Sequence, residues 1–325
     1  MHIAFGLDNN YIPYCTTVMA SIMDNNKGEK ITFHLLSDGI LEDNKRLLTD
    51  WVSSTGGKNI NFHTISKDDF KDFPIGDAYI NIGAYYRLYL AECLKNLDQV
   101  LYLDCDLINT ASLHELWNTD ISKYAVAGVR DRINDYVRVY NRLEYPMSDG
   151  YINSGVMLIN LKRWREDHFF EKAMETARQM PKQLKNHDQD IINLLYHDSL
   201  FFLDFKFNLL EHYLYTEDKL YLNKKYYSAI EQACANPVII HFCMPYKPWH
   251  QECINPFKYL YEKYKRMTPW PDSKPIKRNK FSLKESLITI SKKIMAIVGL
   301  YHYVPQKSPV RKNLLKIEDE NNVIF

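Results

Sequence analysis

Val100-Leu101-Tyr102-Leu103-Asp104-Cys105-Asp106-Leu107-Ile108 is an apolar run broken by two carboxylates two residues apart. In extended backbone the side chains at i and i+2 leave the same face, so Asp104 and Asp106 would present four oxygens to one point past the end of a strand. Such a pair suits a hard divalent cation, Mg²⁺ or Mn²⁺, whose remaining positions go to waters and to the phosphates of a nucleotide or nucleotide-sugar. The bland alternative is a chance Asp-x-Asp, solvated at a strand end.

Outward from that run, the preceding chain reads as strands alternating with helices. Ile3-Ala4-Phe5-Gly6-Leu7 is a short apolar run closed by Asp8-Asn9-Asn10, after which Tyr14, Val18, Met19, Ile22 and Met23 recur at helical spacing. Ile31 to Leu36 reads as a second strand and Leu41 to Val52 as a helix, with Ile60 to Ile65 a third strand after the Gly56-Gly57 break. This alternation predicts an α/β fold with a largely parallel sheet. Ligands of such sheets bind beyond the carboxyl ends of the strands, where both Asp8 and the Asp104/Asp106 pair fall.

Between these acidic sites, Ala84 to Leu90 is predicted to be a helix that carries Arg87 toward the crevice, though a surface arginine would fit the same pattern. Downstream lie Leu113 to Trp117, a strand at Ala125 to Val129, and a long polar and aromatic segment from Asp131 to Tyr151, a candidate substrate loop. Ile152 to Leu161 reads as a buried strand interrupted by Asn153-Ser154-Gly155, with Gly155 there to permit a close approach. In His187-Asp188-Gln189-Asp190, ahead of the apolar run Ile191 to Tyr196, Asp188 reads as a helix N-cap and Asp190 as a carboxylate favouring the helix's positive end. Pro237 to Phe242 is a strand ending at His241, a position more often structural than ligating, and Cys243-Met244-Pro245-Tyr246-Lys247-Pro248-Trp249 follows it.

Length and composition bound these readings. A chain of 325 residues with 46% hydrophobic content buries a full α/β core and is not disordered over most of its length. The net charge of +1 argues against a globally nucleic-acid-binding surface. Six cysteines without CxxC spacing and an amino terminus that begins a core strand favour a reducing, cytoplasmic setting, and no apolar run is long enough to span a bilayer.

Taken in order, Asp8-Asn9-Asn10, Arg87, Leu101 to Asp106, Asn153-Ser154-Gly155, His187 to Asp190 and His241 to Trp249 resemble glycosyltransferase family 8 over about the first 250 residues. Within the family, the bacterial lipooligosaccharide α-1,4-galactosyltransferases are the nearest branch, followed by lipopolysaccharide glucosyl- and galactosyltransferases. The resemblance implies a GT-A (Rossmann-like) catalytic domain over residues 1–270, a UDP-hexose donor with galactose ahead of glucose, Mn²⁺ with Mg²⁺ possible, and transfer with retention to a saccharide acceptor. It makes Asp104, Asp106 and His241 the metal ligands, and an imidazole beside two carboxylates suits Mn²⁺. Asp8 and Asn10 would hold uridine, and Lys247 the diphosphate. Arg87, Asp131, Asn153, Asp188 and Gln189 would line the hexose, and Ile80, Cys105 and Cys243 match further donor-site positions. Two residues depart from the pattern: Met244 stands where the family often has glycine, which would alter a backbone contact to the diphosphate. Tyr79 stands where the galactosyltransferases have histidine, which leaves the acceptor open.

The chemistry implied is departure of UDP from the anomeric carbon, with Asp131, Asp188 and Gln189 nearest the reaction. An amide is a poor nucleophile, so attack from the face that UDP leaves is favoured over a covalent intermediate on Gln189, with Asp188 orienting donor hydroxyls. Two other readings stay open: a nucleotide-sugar hydrolase or nucleotidyltransferase using the same acidic pair, and a non-catalytic saccharide-binding domain, which has no need of Asp104, Asp106 and His241 together. Residues 271–325 form a basic tail in which Leu283, Leu287, Ile290, Ile294, Ile297 and Val298 recur at roughly helical spacing among lysines and arginines. The expectation is an amphipathic helix on the anionic inner face of the cytoplasmic membrane, near a lipid-linked saccharide. Packing of that helix on the catalytic domain is the alternative, and nucleic-acid binding is disfavoured for want of interleaved aromatics.

Overall fold

The computed structural model describes residues 1–56, 58–74, 82–214, 223–277 and Ser291. Tyr79, Ile80 and the apolar stripe from Leu283 to Val298 lie outside the described residues.

The expected strands form. β1 (His2–Gly6), β2 (Ile31–Ser37) and β3 (Lys58–Thr64) are joined by the helices Ile12–Asn25 and Glu42–Ser53, and all pair in parallel. β4 (Gln99–Leu103) returns to the other side of β1, also parallel, with Ile3 opposite Leu101 and Ala4 opposite Tyr102. The strand order therefore reverses between β1 and β4, which opens a crevice at their carboxyl ends.

β5 (Leu107–Asn109) leaves this sheet for a smaller one. β6 (Val126–Arg130) and β7 (Ile152–Asn160) rejoin the main sheet, with β7 antiparallel to both β4 and β6. β8 (Leu200–Phe202) closes the far edge, giving the seven-strand order β3-β2-β1-β4-β7-β6-β8. β9 (Leu209–Leu210) and β10 (Ile239–His241) complete the small sheet, with β10 between β5 and β9.

Alternation along the strands builds a core on each face. Ile3, Phe5, Leu101 and Leu103 pack with Val18 and Ile22 on one side, while Ala4, Val100 and Tyr102 pack with Tyr85, Tyr86, Met157 and Trp164 on the other. Three histidines in a row, His2, His34 and His63, share ring hydrogen bonds of 3.0 Å across β1, β2 and β3. From Trp270 to Lys277 the chain stays on the body, where Ile276 pairs with His250 and exchanges backbone hydrogen bonds with Trp249 and Gln251.

Three local expectations are corrected. Ile82–Tyr89 is a 3₁₀ helix that becomes α-helical only at Leu90–Cys93, rather than one α-helix. The segment Asp131 to Tyr151 is not a bare loop but carries the helix Val137–Leu143, whose Val139, Tyr140 and Leu143 are buried. Asn153-Ser154-Gly155 does not interrupt its strand, because all three residues belong to β7.

Candidate active site

Asp104 and Asp106 converge, though not by the route the tripeptide suggests. β4 ends at Leu103, and Asp104-Cys105-Asp106 is a bend between the two sheets rather than extended strand. The bend is tied down at both ends: Asp104 N–H donates to the Gly155 carbonyl at 2.9 Å, and Phe242 N–H donates to the Asp106 carbonyl at 2.9 Å. Cys105, between them, is buried and its thiol is pushed well up by a hydrogen bond with Cys15 and by burial.

β10 lies antiparallel to β5 with His241 opposite Leu107, which sets the imidazole beside the bend. His241 Nε2 is 3.3 Å from Asp106 Oδ1 and 3.8 Å from Asp104 Oδ2, and one ligand atom from each residue falls within 4.8 Å of the others. Gly155 leaves the room for this, since a Cβ there would stand 2.3 Å from His241 Cε1 and 2.8 Å from Asp104 Oδ2. Two carboxylates and an imidazole meeting in a space kept clear by a glycine make a donor set that a divalent cation fits.

Cations already attend both carboxylates. Buried Arg87 reaches Asp104 Oδ1 at 2.7 Å and Asp188 Oδ2 at 3.1 Å, and it donates to the Ser154 carbonyl at 2.7 Å. Lys247 Nζ sits 2.6 Å from Asp106 Oδ2. Burial alone would raise the Asp106 carboxyl, but Lys247 and His241 override it and hold the group well below the ordinary carboxylate range. For Asp188 burial wins over Arg87 and the carboxyl is raised.

β7 runs antiparallel to β4, so its first residues meet the end of β4 and bring Asn153 and Ser154 beside Asp104. Asn153 Nδ2 donates to Asp131 Oδ2 at 2.9 Å and to Gln189 Oε1 at 3.1 Å, and Gln189 Nε2 reaches Asp131 Oδ2 at 3.3 Å. Gln189 Oε1 also accepts from Ser154 N–H at 3.0 Å. Asp188 is not an N-cap. Asn186 holds that position and Asp188 lies inside the first turn of His187–Tyr196, bound to Arg87 and to Ser154 Oγ at 2.9 Å. His187 enters that turn at φ 51°, and its Nδ1 lies 3.0 Å from Tyr85 OH. Asp190, fully buried, serves the helix start as expected, its Oδ2 accepting from Asn186 N–H at 2.7 Å, and Arg142 and Tyr151 OH hold it as well.

The crevice itself is lined by Leu7, Asp8, Tyr11, Arg87, Lys247 and Trp249, together with the Asp104 to Asp106 bend. Asp8 accepts from the backbone N–H groups of Asn10 and Tyr11, which fixes the turn after β1. Trp249 stacks on Tyr14 at 4.0 Å between ring centroids and meets Tyr11 edge-on. Cys243 lies just past His241, its thiol pushed up to about 12 by burial and by nearby Glu211. Met244 has no positive φ, so this chain needs no glycine conformation there.

The structure thus gathers Asp8, Arg87, Asp104, Asp106, His241 and Lys247 at one crevice, with Asp131, Asn153, Asp188 and Gln189 in the network beside it. Sequence reading missed Tyr102, whose OH donates to Asp104 Oδ1 at 3.1 Å, and Asn208, whose Oδ1 lies 3.0 Å from His241 Nδ1. The one sequence signal for Asn208 is an amide between Phe207 and Leu209-Leu210.

Comparison with known proteins agrees with this geometry. A relative from Haemophilus influenzae, named no more specifically than a glycosyltransferase, is 32% identical over 255 residues, covering 78% of this chain and 74% of its own. The lipopolysaccharide 1,2-glucosyltransferase of Escherichia coli K12 is 25% identical over 94% of this chain and 87% of its own length. The crystal structure of the galactosyltransferase LgtC with donor and acceptor sugar analogs superposes with a TM-score of 0.75 at 28% identity, covering 83% of this chain and 96% of LgtC. The seven-stranded, mostly parallel sheet is accordingly a GT-A fold. The family description Glycosyl transferase family 8 matches residues 2–253, and with that span and this site the chain belongs to glycosyltransferase family 8.

Proposed function

We propose that this glycosyltransferase is a metal-dependent, retaining hexosyltransferase that moves a hexose from a UDP-sugar to an oligosaccharide or lipid-linked saccharide in lipopolysaccharide or lipooligosaccharide synthesis. The observation that carries the reading is the convergence of Asp104, Asp106 and His241 at the crevice where the strand order reverses. A divalent cation on those three residues supplies electrostatic stabilisation of the leaving diphosphate. Lys247, now paired with Asp106, is placed to exchange that carboxylate for a diphosphate oxygen. Asp8, with Asn10 in the turn it caps, would receive the uridine.

Retention follows best from attack on the face that UDP leaves. Gln189 Oε1 has two acceptor positions, and Ser154 N–H and Asn153 Nδ2 fill both, so it has no lone pair to offer an anomeric carbon. Asp188 is committed to Arg87 and Ser154 Oγ, which suits it to orienting donor hydroxyls rather than to forming a covalent bond. The acceptor proton then passes to an oxygen of the departing diphosphate, and no carboxylic acid is needed at the leaving group.

Galactose is placed ahead of glucose on the likeness to LgtC, while the Escherichia coli relative is named a glucosyltransferase. Two epimers differ in one hydroxyl, which a few site hydrogen bonds distinguish. Side-by-side turnover of UDP-galactose and UDP-glucose with Mn²⁺, with the anomeric configuration of the product read by NMR, tests the reading. A strong preference for UDP-glucose reverses the order of donors, and an inverted product refutes retention. We place the enzyme at the inner face of the cytoplasmic membrane through its basic tail; no helix among the described residues is long and apolar enough to cross a membrane.

A further inference from the structure

Asn208 is fully buried and meets the converging Asp104, Asp106 and His241 through the His241 ring. It closes the turn Phe205–Phe207 and precedes β9, whose Leu209 and Leu210 lie alongside Ile240 and His241. The two ends of an amide side chain have the same shape, so its neighbours decide which end is oxygen. Gly155 N–H donates to Asn153 Oδ1 at 3.0 Å, and a backbone N–H has no other role than donor. Asn153 therefore presents its oxygen on this side and its Nδ2 to the Asp131 carboxylate.

Asn208 Nδ2 lies 2.9 Å from that same Asn153 oxygen, so turning Asn208 over would set oxygen against oxygen. Its own Oδ1 is thus aimed at His241 Nδ1, 3.0 Å away, and needs an N–H there. A neutral imidazole with its proton on Nδ1 carries a lone pair on Nε2, the nitrogen that faces Asp104 and Asp106.

We propose that Asn208 is a positioning residue that holds His241 in its Nδ1–H tautomer, so that Nε2 is offered to a divalent cation, and that Gly155 N–H sets this polarity through Asn153. The inference rests on the assignment of Asp104, Asp106 and His241 as the cation ligands. It also links two parts of the site, because the Asn153 amide that orients Asn208 is the one that binds Asp131 and Gln189. A hydrogen-bond partner on the far nitrogen of a ligating histidine generally raises metal affinity by about 10- to 100-fold.

The test uses the full chain labelled with ¹⁵N-histidine, free of metal. Two-bond ¹H–¹⁵N spectra should show the His241 proton on Nδ1. Asn208→Leu, near in size but without an acceptor, should lose that single tautomer and bind Mn²⁺ about 10- to 100-fold more weakly by electron paramagnetic resonance of the free ion. Asn208→Asp keeps an acceptor facing Nδ1 and should retain the Nδ1–H tautomer, although its second oxygen replaces the Nδ2 donor to Asn153 Oδ1; loss of the tautomer in this variant would count against the proposal. A wild-type ring protonated on Nε2, or Asn208→Leu with wild-type tautomer and affinity, overturns the proposal; should Asn208→Leu not fold, the wild-type spectrum alone decides. Unchanged Mn²⁺ affinity in His241→Ala would instead sink the ligand assignment, a separate outcome from the tautomer measured without metal.

Discussion

One methyl group added at Gly155 should disable the enzyme while leaving the fold standing. The Cβ of Gly155→Ala would lie 2.3 Å from His241 Cε1, 3.0 Å from His241 Nδ1 and 2.8 Å from Asp104 Oδ2, whereas ordinary contact begins at 3.4 Å. His241 must therefore retreat by about 1.1 Å and Asp104 by about 0.6 Å. Neither movement is free. His241 is anchored to Asn208 on its far side, and Asp104 is held by Arg87 and Tyr102. The backbone offers no objection of its own, because Gly155 is not among the glycines at positive φ.

A displacement of this size at a reacting centre costs on the order of 100-fold in rate, about 2.7 kcal/mol. Overpacking of a buried site costs about 1–3 kcal/mol of stability, a fall of only several degrees in the thermal midpoint for a domain this large. The assay pairs a Mn²⁺ titration with UDP-sugar turnover and a melting curve on the same preparation. The expected pattern is affinity down roughly tenfold, turnover down on the order of 100-fold, and a cooperative melt close to the wild type. Wild-type Mn²⁺ affinity with turnover within about threefold would refute the steric argument, since the two ligand side chains would then have had room to spare.

Asp104→Asn and Asp106→Asn should each abolish Mn²⁺-dependent turnover with little loss of fold, because each removes a ligating charge at nearly constant volume; either variant at normal activity would remove the pair from the mechanism. His34 has its pKa lowered to about 3, by burial first and then by His63 and His2, from an ordinary 6.5. The unfolded chain then binds the proton and the native one does not, so this residue's effect is absent above pH 6.5 and stability falls as pH drops from there toward 3, by up to about 1.4 kcal/mol per pH unit. Urea unfolding of His34→Asn beside the wild type should show a shallower loss between neutral and acidic pH, and equal slopes would count against it. Sedimentation with anionic vesicles should carry down the full chain at low salt and not a chain ending after Lys277, which keeps the pairing of Ile276 with His250 but removes most of the tail's basic residues; equal binding by both would take the tail out of the mechanism.

The parts of this fold that were legible in the sequence are those where local pattern and burial agree. Apolar runs at Ile3 to Leu7, Ile31 to Leu36 and Val100 to Leu103 became neighbouring parallel strands, since a strand covered on both faces is apolar over most of its length. The reversal of strand order after β1 and β4 then placed Asp8 and the Asp104/Asp106 pair together without any need for the details of the bend. β8 and β9, of three and two residues, left no period to read, because such short strands are held by their neighbours rather than by pattern.

Asp188 shows why the finer assignments failed. Its place ahead of an apolar helical run makes N-capping the sound local inference, and the gain from a cap is about 1 kcal/mol. Arg87 changes the comparison. Its guanidinium is buried beneath the crevice, where one carboxylate, Asp104, is partly turned toward His241. An arginine left with so shared a partner would carry charge into a medium that penalises it by several kcal/mol. Asp188, inside the first turn of the helix and pointing inward, supplies the second carboxylate at 3.1 Å. Relief of the buried charge outweighs the cap, so the cap position passes to Asn186 without a side-chain bond, and the helix enters through a left-handed His187 steadied by Tyr85. Tyr102 and Asn208 were missed for the same reason: each matters through Asp104 or His241, partners 2 and 33 residues away whose approach only the assembled sheets define.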